Sequence, residues 1–143
     1  MASKSWRRTA AAAVGVVLAA GAGAVALAPA AQAAHADCPQ ESGYLCFWDG
    51  TNYAGTPGKL SGANTNWTAF PRSGCPSGTW NDCASSIWNE GLSCDAVVHS
   101  AANYGGDPWV IKRDTGAANL ADWKRPSGGN WNNVISSNKW FCG

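Results

Sequence analysis

The sequence predicts an all-β fold, a sandwich of two similar units held by disulfides. Three observations predict it. Short runs rich in Val, Ile, Trp and Tyr alternate with clusters of Gly, Asn, Pro and Ser. The chain matches itself at an offset of 51 residues. Six cysteines follow a start that reads as an export signal.

The start is taken first, because it changes the composition of everything after it. A basic opening, MASKSWRRTA, runs into an uncharged Ala- and Gly-rich stretch and then a small-residue exit. That is the layout of a secretory signal peptide, and the stretch is weakly hydrophobic for a spanning helix. Two exits fit, Ala31-Gln32-Ala33 and Ala34-His35-Ala36. Cleavage after Ala33 or Ala36 is expected, with residues 1–36 as the signal and 37–143 as the working domain. Removing 36 of 143 residues leaves 107, enough for one domain. Lys4, Arg7 and Arg8 leave with the signal, so ten basic residues become seven against nine acidic ones, and the net charge moves from +1 to −2. A chain without basic excess is not expected to bind nucleic acid, and nothing after the signal is expected to hold it to a membrane.

Strand-like runs then appear in order: Tyr44–Trp48, Ser86–Trp88, Asp95–His99 and Trp109–Lys112. Turn signals separate them at Asp49-Gly50, Pro57-Gly58, Ser61-Gly62, Gly105-Gly106 and Ser127-Gly128-Gly129. No long helix is expected; Ala117–Trp123 has room for one short turn. At the offset of 51, Asn52-Tyr53-Ala54-Gly55 falls on Asn103-Tyr104-Gly105-Gly106, and Trp80-Asn81-Asp82-Cys83-Ala84-Ser85-Ser86 falls on Trp131-Asn132-Asn133-Val134-Ile135-Ser136-Ser137. Two units follow, residues 38–89 and 90–142. Each has the size of a Greek key, and two keys make a sandwich.

Cys38, Cys46, Cys75, Cys83, Cys94 and Cys142 read as three disulfides in an exported chain. Zinc is the rival, but no Cys-x2-Cys pair exists. Six cysteines allow 15 pairings. Short loops close most easily, which favours Cys38–Cys46 and Cys75–Cys83 and leaves Cys94–Cys142.

Trp48-Asp49-Gly50-Thr51-Asn52-Tyr53-Ala54-Gly55 resembles the folded hairpin of βγ-crystallin Greek keys: an aromatic, four residues, an aromatic, one residue, then Gly. The second unit keeps Asn103, Tyr104 and Gly106 but has His99 in place of the first aromatic. Asn81-Asp82-Cys83-Ala84-Ser85-Ser86 and Asn132-Asn133-Val134-Ile135-Ser136-Ser137 resemble the family's Asn/Asp-rich, Ser-ended clamp. The opening Cys38-Pro39-Gln40-Glu41-Ser42-Gly43-Tyr44-Leu45-Cys46, followed by Asn-Tyr-x-Gly and Trp-Asn-Asp…Ser-Ser, looks like the small secreted bacterial peptidase inhibitors that share this fold. Their best-known type inhibits metalloproteinases.

That resemblance implies a secreted, monomeric inhibitor whose partner is an extracellular protease. The contact is expected in the Phe70-Pro71-Arg72-Ser73-Gly74-Cys75-Pro76-Ser77-Gly78-Thr79 loop, with Phe70 or Arg72 entering a specificity pocket. A loop held in its bound shape loses less entropy on docking. The alternative is a plain connection between strands. The clamps imply calcium, the one cofactor in prospect and not one that inhibition requires. Its ligand candidates are Asn81, Asp82 and Ser85 with Asn132, Asn133 and Ser136, oxygen donors of the kind calcium takes. Only Asp82 is anionic, so binding would be weak; the alternative is that these side chains merely close turns.

Of nine Trp in the chain, eight follow the signal. Most suit a core, but a row of exposed Trp beside Asn would stack on sugar rings. The competing function is therefore a calcium-binding βγ-crystallin module with a structural, carbohydrate-binding or toxin-like role. Catalysis is not expected. There is no Gly-x-Ser-x-Gly, one His remains after the longer cleavage, and nothing pairs the lone carboxylates Glu41 and Glu90.

Overall fold

A computed structural model describes His35 and residues 37–143. Apart from His35, the export segment lies outside the described residues. Seven strands form two antiparallel sheets: β1 (Tyr44–Trp48), β2 (Gly58–Leu60), β3 (Ser86–Glu90), β4 (Asp95–His99), β5 (Pro108–Ile111), β6 (Thr115–Ala117) and β7 (Ser137–Phe141). One sheet runs β2-β1-β3-β6 and the other β5-β4-β7. The four runs read from the sequence are β1, β3, β4 and β5. β2 and β6 are short and Gly-bearing, and β7 opens on Ser and Asn, so these three carry a weaker strand pattern.

One edge strand crosses between the units. β6 belongs to the second unit's chain but pairs with β3 of the first, through Ile87–Ala117 and Trp88–Gly116. The counterpart in the first unit shrinks to one bridge, Asn64 with Asn138 of β7. Four one-turn 3-10 helices complete the fold, and one, Leu120–Asp122, lies in the expected Ala117–Trp123 segment. Asn66 and Asn119 cap the equivalent turns, each side chain accepting from the backbone N–H two residues on, at 3.0 and 3.1 Å.

Backbone conformation repeats with the sequence. Asn52, Tyr53, Gly55, Gly78 and Asp82 have positive φ, and so do Asn103, Tyr104, Gly106, Gly129 and Asn133, each 51 residues on. The offset is not constant between these points. Asn66 and Trp67 superpose in role on Asn119 and Leu120, 53 residues on, because the β5–β6 turn is two residues longer than its counterpart. Gly78 and Gly129 restore the 51, because the first unit's next loop is longer by the same two.

The core uses both inner faces: Leu45, Phe47, Trp67, Trp80 and Ile87 from the first unit, with Ala96, Val98, Ile111, Leu120, Trp131 and Ile135 from the second. Bulk is distributed differently in each. Phe47 stacks on Trp67 at 4.3 Å and meets Trp80 edge-on at 4.8 Å. The equivalent second-unit residues are Val98 and Leu120, and there Trp109 fills the space instead, 5.5 Å from Trp131. Trp109 corresponds to Gly58 in the first unit. A side chain at Gly58 would run into the Phe47 ring, so the large residue comes from one strand or the other. The bonds are Cys38–Cys46, Cys75–Cys83 and Cys94–Cys142, the pairing favoured by short-loop closure.

Candidate functional site

The Phe70–Thr79 loop leaves the capped turn at Trp67–Ala69 and returns into Trp80. Its base closes by the Pro71–Thr79 bridge and by the Arg72 N–H donating to the Gly78 carbonyl at 2.8 Å. The Arg72 guanidinium reaches Asp49 in the first hairpin, with Nε 3.0 Å and the terminal nitrogen 2.9 Å from one carboxylate oxygen. It also lies 4.9 Å over the Trp80 ring. Gly74 leaves room for this arrangement, since a Cβ there would stand 2.9 Å from the Asp49 carboxylate. Cys75 and Cys83 are buried beneath the loop, and Phe70 packs half-buried on the core.

Phe70 and Arg72 are thus engaged within the molecule. Pro71, Ser73, Gly74, Pro76, Ser77 and Gly78 face solvent. Sequence reasoning missed Asp49, whose only sign was a turn-forming Asp-Gly pair.

The second unit carries a shorter twin, Trp123–Asn130. It closes by the Lys124–Asn130 bridge and by the Arg125 N–H donating to Gly129 at 3.2 Å. Its strut is Arg125 to Asp107 at 3.3 Å. No disulfide lies under it.

The two clamps meet across the pseudo-twofold axis. Ser136 Oγ donates to Asp82 Oδ1 at 3.0 Å, and Ser85 Oγ to Asn133 Oδ1 at 3.3 Å. Backbone bonds run alongside, from the Asp82 N–H to Ile135 and from the Asn133 N–H to Ala84. Asn81 donates to Asp82 at 2.8 Å. The Asn132 side-chain oxygen is buried with no partner. Four of the six candidates therefore form two mixed pairs, one with a carboxylate and one neutral; Asn81 adds to the first, and the Asn132 oxygen is left free beside the second. Oxygen donors in this number suit a hard cation held weakly. Among the described residues, no cluster of three His, Cys, Asp or Glu side chains could hold a metal.

The last Ser of each clamp has a separate task. Ser86 Oγ accepts from the Tyr53 N–H and donates to Gly50; Ser137 Oγ does the same for Tyr104 and Ala101. Each hairpin is thereby tied to its own clamp. In the first, Trp48 and Tyr53 pack edge-on at 5.1 Å. In the second, His99 takes the place of Trp48, 5.7 Å from Tyr104. Both His99 nitrogens are buried without partners. Burial, and then the nearby Lys139 charge, holds its pKa below the ordinary value of 6.5.

Trp48, Trp67, Trp80 and Trp131 are buried, Trp88, Trp109 and Trp140 half-buried. Trp123 alone among the described tryptophans is exposed, at 46%, leaning on Trp109 at 5.0 Å. The row that sugar stacking would use does not form.

No curated protein matches the sequence. Solved structures match in fold. One, from work on the evolution of the eye lens beta-gamma-crystallin domain fold, has 19% identity and a TM-score of 0.56, covering 73% of this chain and 90% of its own. A beta gamma crystallin from Ciona intestinalis has 21% identity and a TM-score of 0.53, covering 69% of this chain and 100% of its own. The fold is that of the βγ-crystallins, as the hairpin and clamp motifs implied. A family model matches residues 31–111, a span that takes in the first hairpin, the Phe70–Thr79 loop and the first clamp. On that match, over more than half its length, the chain belongs to Peptidase inhibitor family I36.

Proposed function

We propose that the chain is exported and blocks an extracellular peptidase with the solvent face of the Phe70–Thr79 loop. One comparison within the molecule carries this reading. The second unit holds the same loop path with an Arg–Asp strut and no disulfide, so the fold does not need the Cys75–Cys83 bond to close the turn. In the first unit the bond, the Arg72–Asp49 strut and two prolines all restrict one short exposed segment. Rigidity beyond what the fold demands suits a segment that must enter an active cleft already shaped and resist being cut. Ser73, Gly74, Pro76, Ser77 and Gly78 make the contact, and Arg72 acts from behind as the strut.

The export reading draws support from three disulfides in a short chain. The protein acts as a monomer and adds no chemistry of its own. Inhibition of thermolysin-like, subtilisin-like and trypsin-like enzymes by the purified mature chain tests the proposal; no inhibition of any of them would refute it.

The clamps support a second site on the same domain. Asp82 with Ser136, each from a different unit, would hold calcium across the joint between them. The ion would add stability there and take no part in peptidase contact.

A further inference from the structure

We propose that the export signal is removed between Ala33 and Ala34, so that the mature chain begins Ala34-His35 and keeps His35 as part of its fold. The inference rests on the export reading and decides between the two exits that the sequence left open. Both Ala31-Gln32-Ala33 and Ala34-His35-Ala36 satisfy the small-x-small pattern, so the local sequence does not separate them. The folded domain does.

His35 is only 3% exposed. Its ring stacks on Trp88 at 4.2 Å, tilted by 20°, and meets Tyr53 edge-on at 5.4 Å. Nδ1 lies 3.8 Å from Oε1 of Glu90, itself 3% exposed. The His35 carbonyl accepts from the Cys38 N–H at 2.8 Å, tying the segment to the Cys38–Cys46 bond. These contacts join His35 to β3, the first hairpin and the first disulfide.

Cleavage after Ala36 would discard the ring. Trp88 would lose its stacked neighbour, and the Glu90 carboxylate would keep only the Glu41 N–H, at 3.1 Å, of the partners it has here. The His35 carbonyl that accepts from the Cys38 N–H would go as well. Cleavage after Ala33 keeps the ring and adds something. Water divides across the peptide bond, its hydroxyl going to the Ala33 carbonyl carbon and its proton to the Ala34 nitrogen, under an export-pathway signal peptidase. The new α-amino group belongs to Ala34, the residue before His35 in the sequence. A pocket of about 400 Å³ borders His35, with Glu41, Glu90 and Asp114 among its lining, so a cation added next to His35 in the chain is expected to be favoured.

The full-length precursor, exported by a bacterial host, tests this by intact mass and N-terminal sequencing. A secreted chain of 110 residues starting at Ala34, the 143 less 33, is expected. A chain starting at Asp37 overturns the proposal and leaves the export reading intact; an uncleaved, cell-bound chain overturns both. Chains refolded from Ala34 and from Asp37 give a measurement independent of the peptidase. The longer should melt higher by about 4 °C or more, and His35→Ala in the longer chain should remove that difference. Equal melting of the two chains also overturns the proposal.

Discussion

Arg72 places two guanidinium nitrogens within 3.0 Å of a single Asp49 oxygen, joining the exposed loop to the first hairpin. Both side chains are largely shielded, so the contact is worth more than a surface pair. Asp49→Asn should weaken inhibition about tenfold, or ~1.4 kcal/mol. Near-ultraviolet circular dichroism should show the core unchanged. An inhibition constant that does not move would remove the strut from the contact mechanism.

Replacing Cys75 and Cys83 together by Ala should cost about 2–3 kcal/mol of stability, the entropy of a short closed loop. Urea unfolding measures it. The double variant should still fold, because Trp123–Asn130 closes without such a bond. Its inhibition should fall further than its stability implies, and the target peptidase should now cleave between Arg72 and Gly78. A variant that inhibits as strongly as the parent would show that the staple serves only the fold.

His99 makes stability depend on pH. Its folded pKa lies below 6.5, lowered by burial and then by Lys139, while the unfolded chain titrates at the ordinary value. Above that value both states are neutral and the group contributes nothing. As pH falls through it, the unfolded chain takes up a proton that the folded one resists, and stability drops. Pro108 on β5 and Ser137 on β7 pair with His99, so Lys139 is the charged neighbour that opposes protonation. His99→Phe should abolish this component between pH 7 and 5 and raise stability by about 1 kcal/mol, since two unpartnered nitrogens leave the core. Thermal melts across that range decide it; a parallel fall in parent and variant would assign the loss elsewhere.

Calcium at 10 mM should stabilise the mature chain by about 1.4 kcal/mol if the clamps bind with a Kd near 1 mM. Asp82→Ala should eliminate the gain, since Asp82 is the only carboxylate in either clamp. Magnesium at the same concentration controls for ionic strength. A melting temperature indifferent to calcium would leave Asp82 and Ser136 as turn-closing residues.

The repeat made the fold legible: Asn52-Tyr53 and Asn103-Tyr104 adopt the same left-handed pair of conformations because identical residues face identical turns. Gly58 and Trp109 were harder. They occupy one place in two units, and only packing shows that Phe47 fills in the first what Trp109 fills in the second. The clamp residues were readable as a set, but their crossed pairing depends on how the units dock. Asp49 and His35 gave little local sign. Asp49 looked like any turn residue, and His35 lay inside a segment that both exits place near a cut. Their partners, Arg72 and Glu90, are 23 and 55 positions away, beyond the reach of local pattern.

The crossing of β6 has a consequence for a protein that meets peptidases. None of the three disulfides crosses from one unit to the other. In the link between them, Leu92 and Ser93 are exposed. A cut there would sever the only covalent tie but leave in place the pairing of edge strand β6 with β3 and the bridge of Asn64 to β7. The second fragment completes the first sheet with β6, and the first touches the second sheet through the Asn64 bridge. A nicked chain is therefore expected to run as one particle under native conditions and to keep its loop presented.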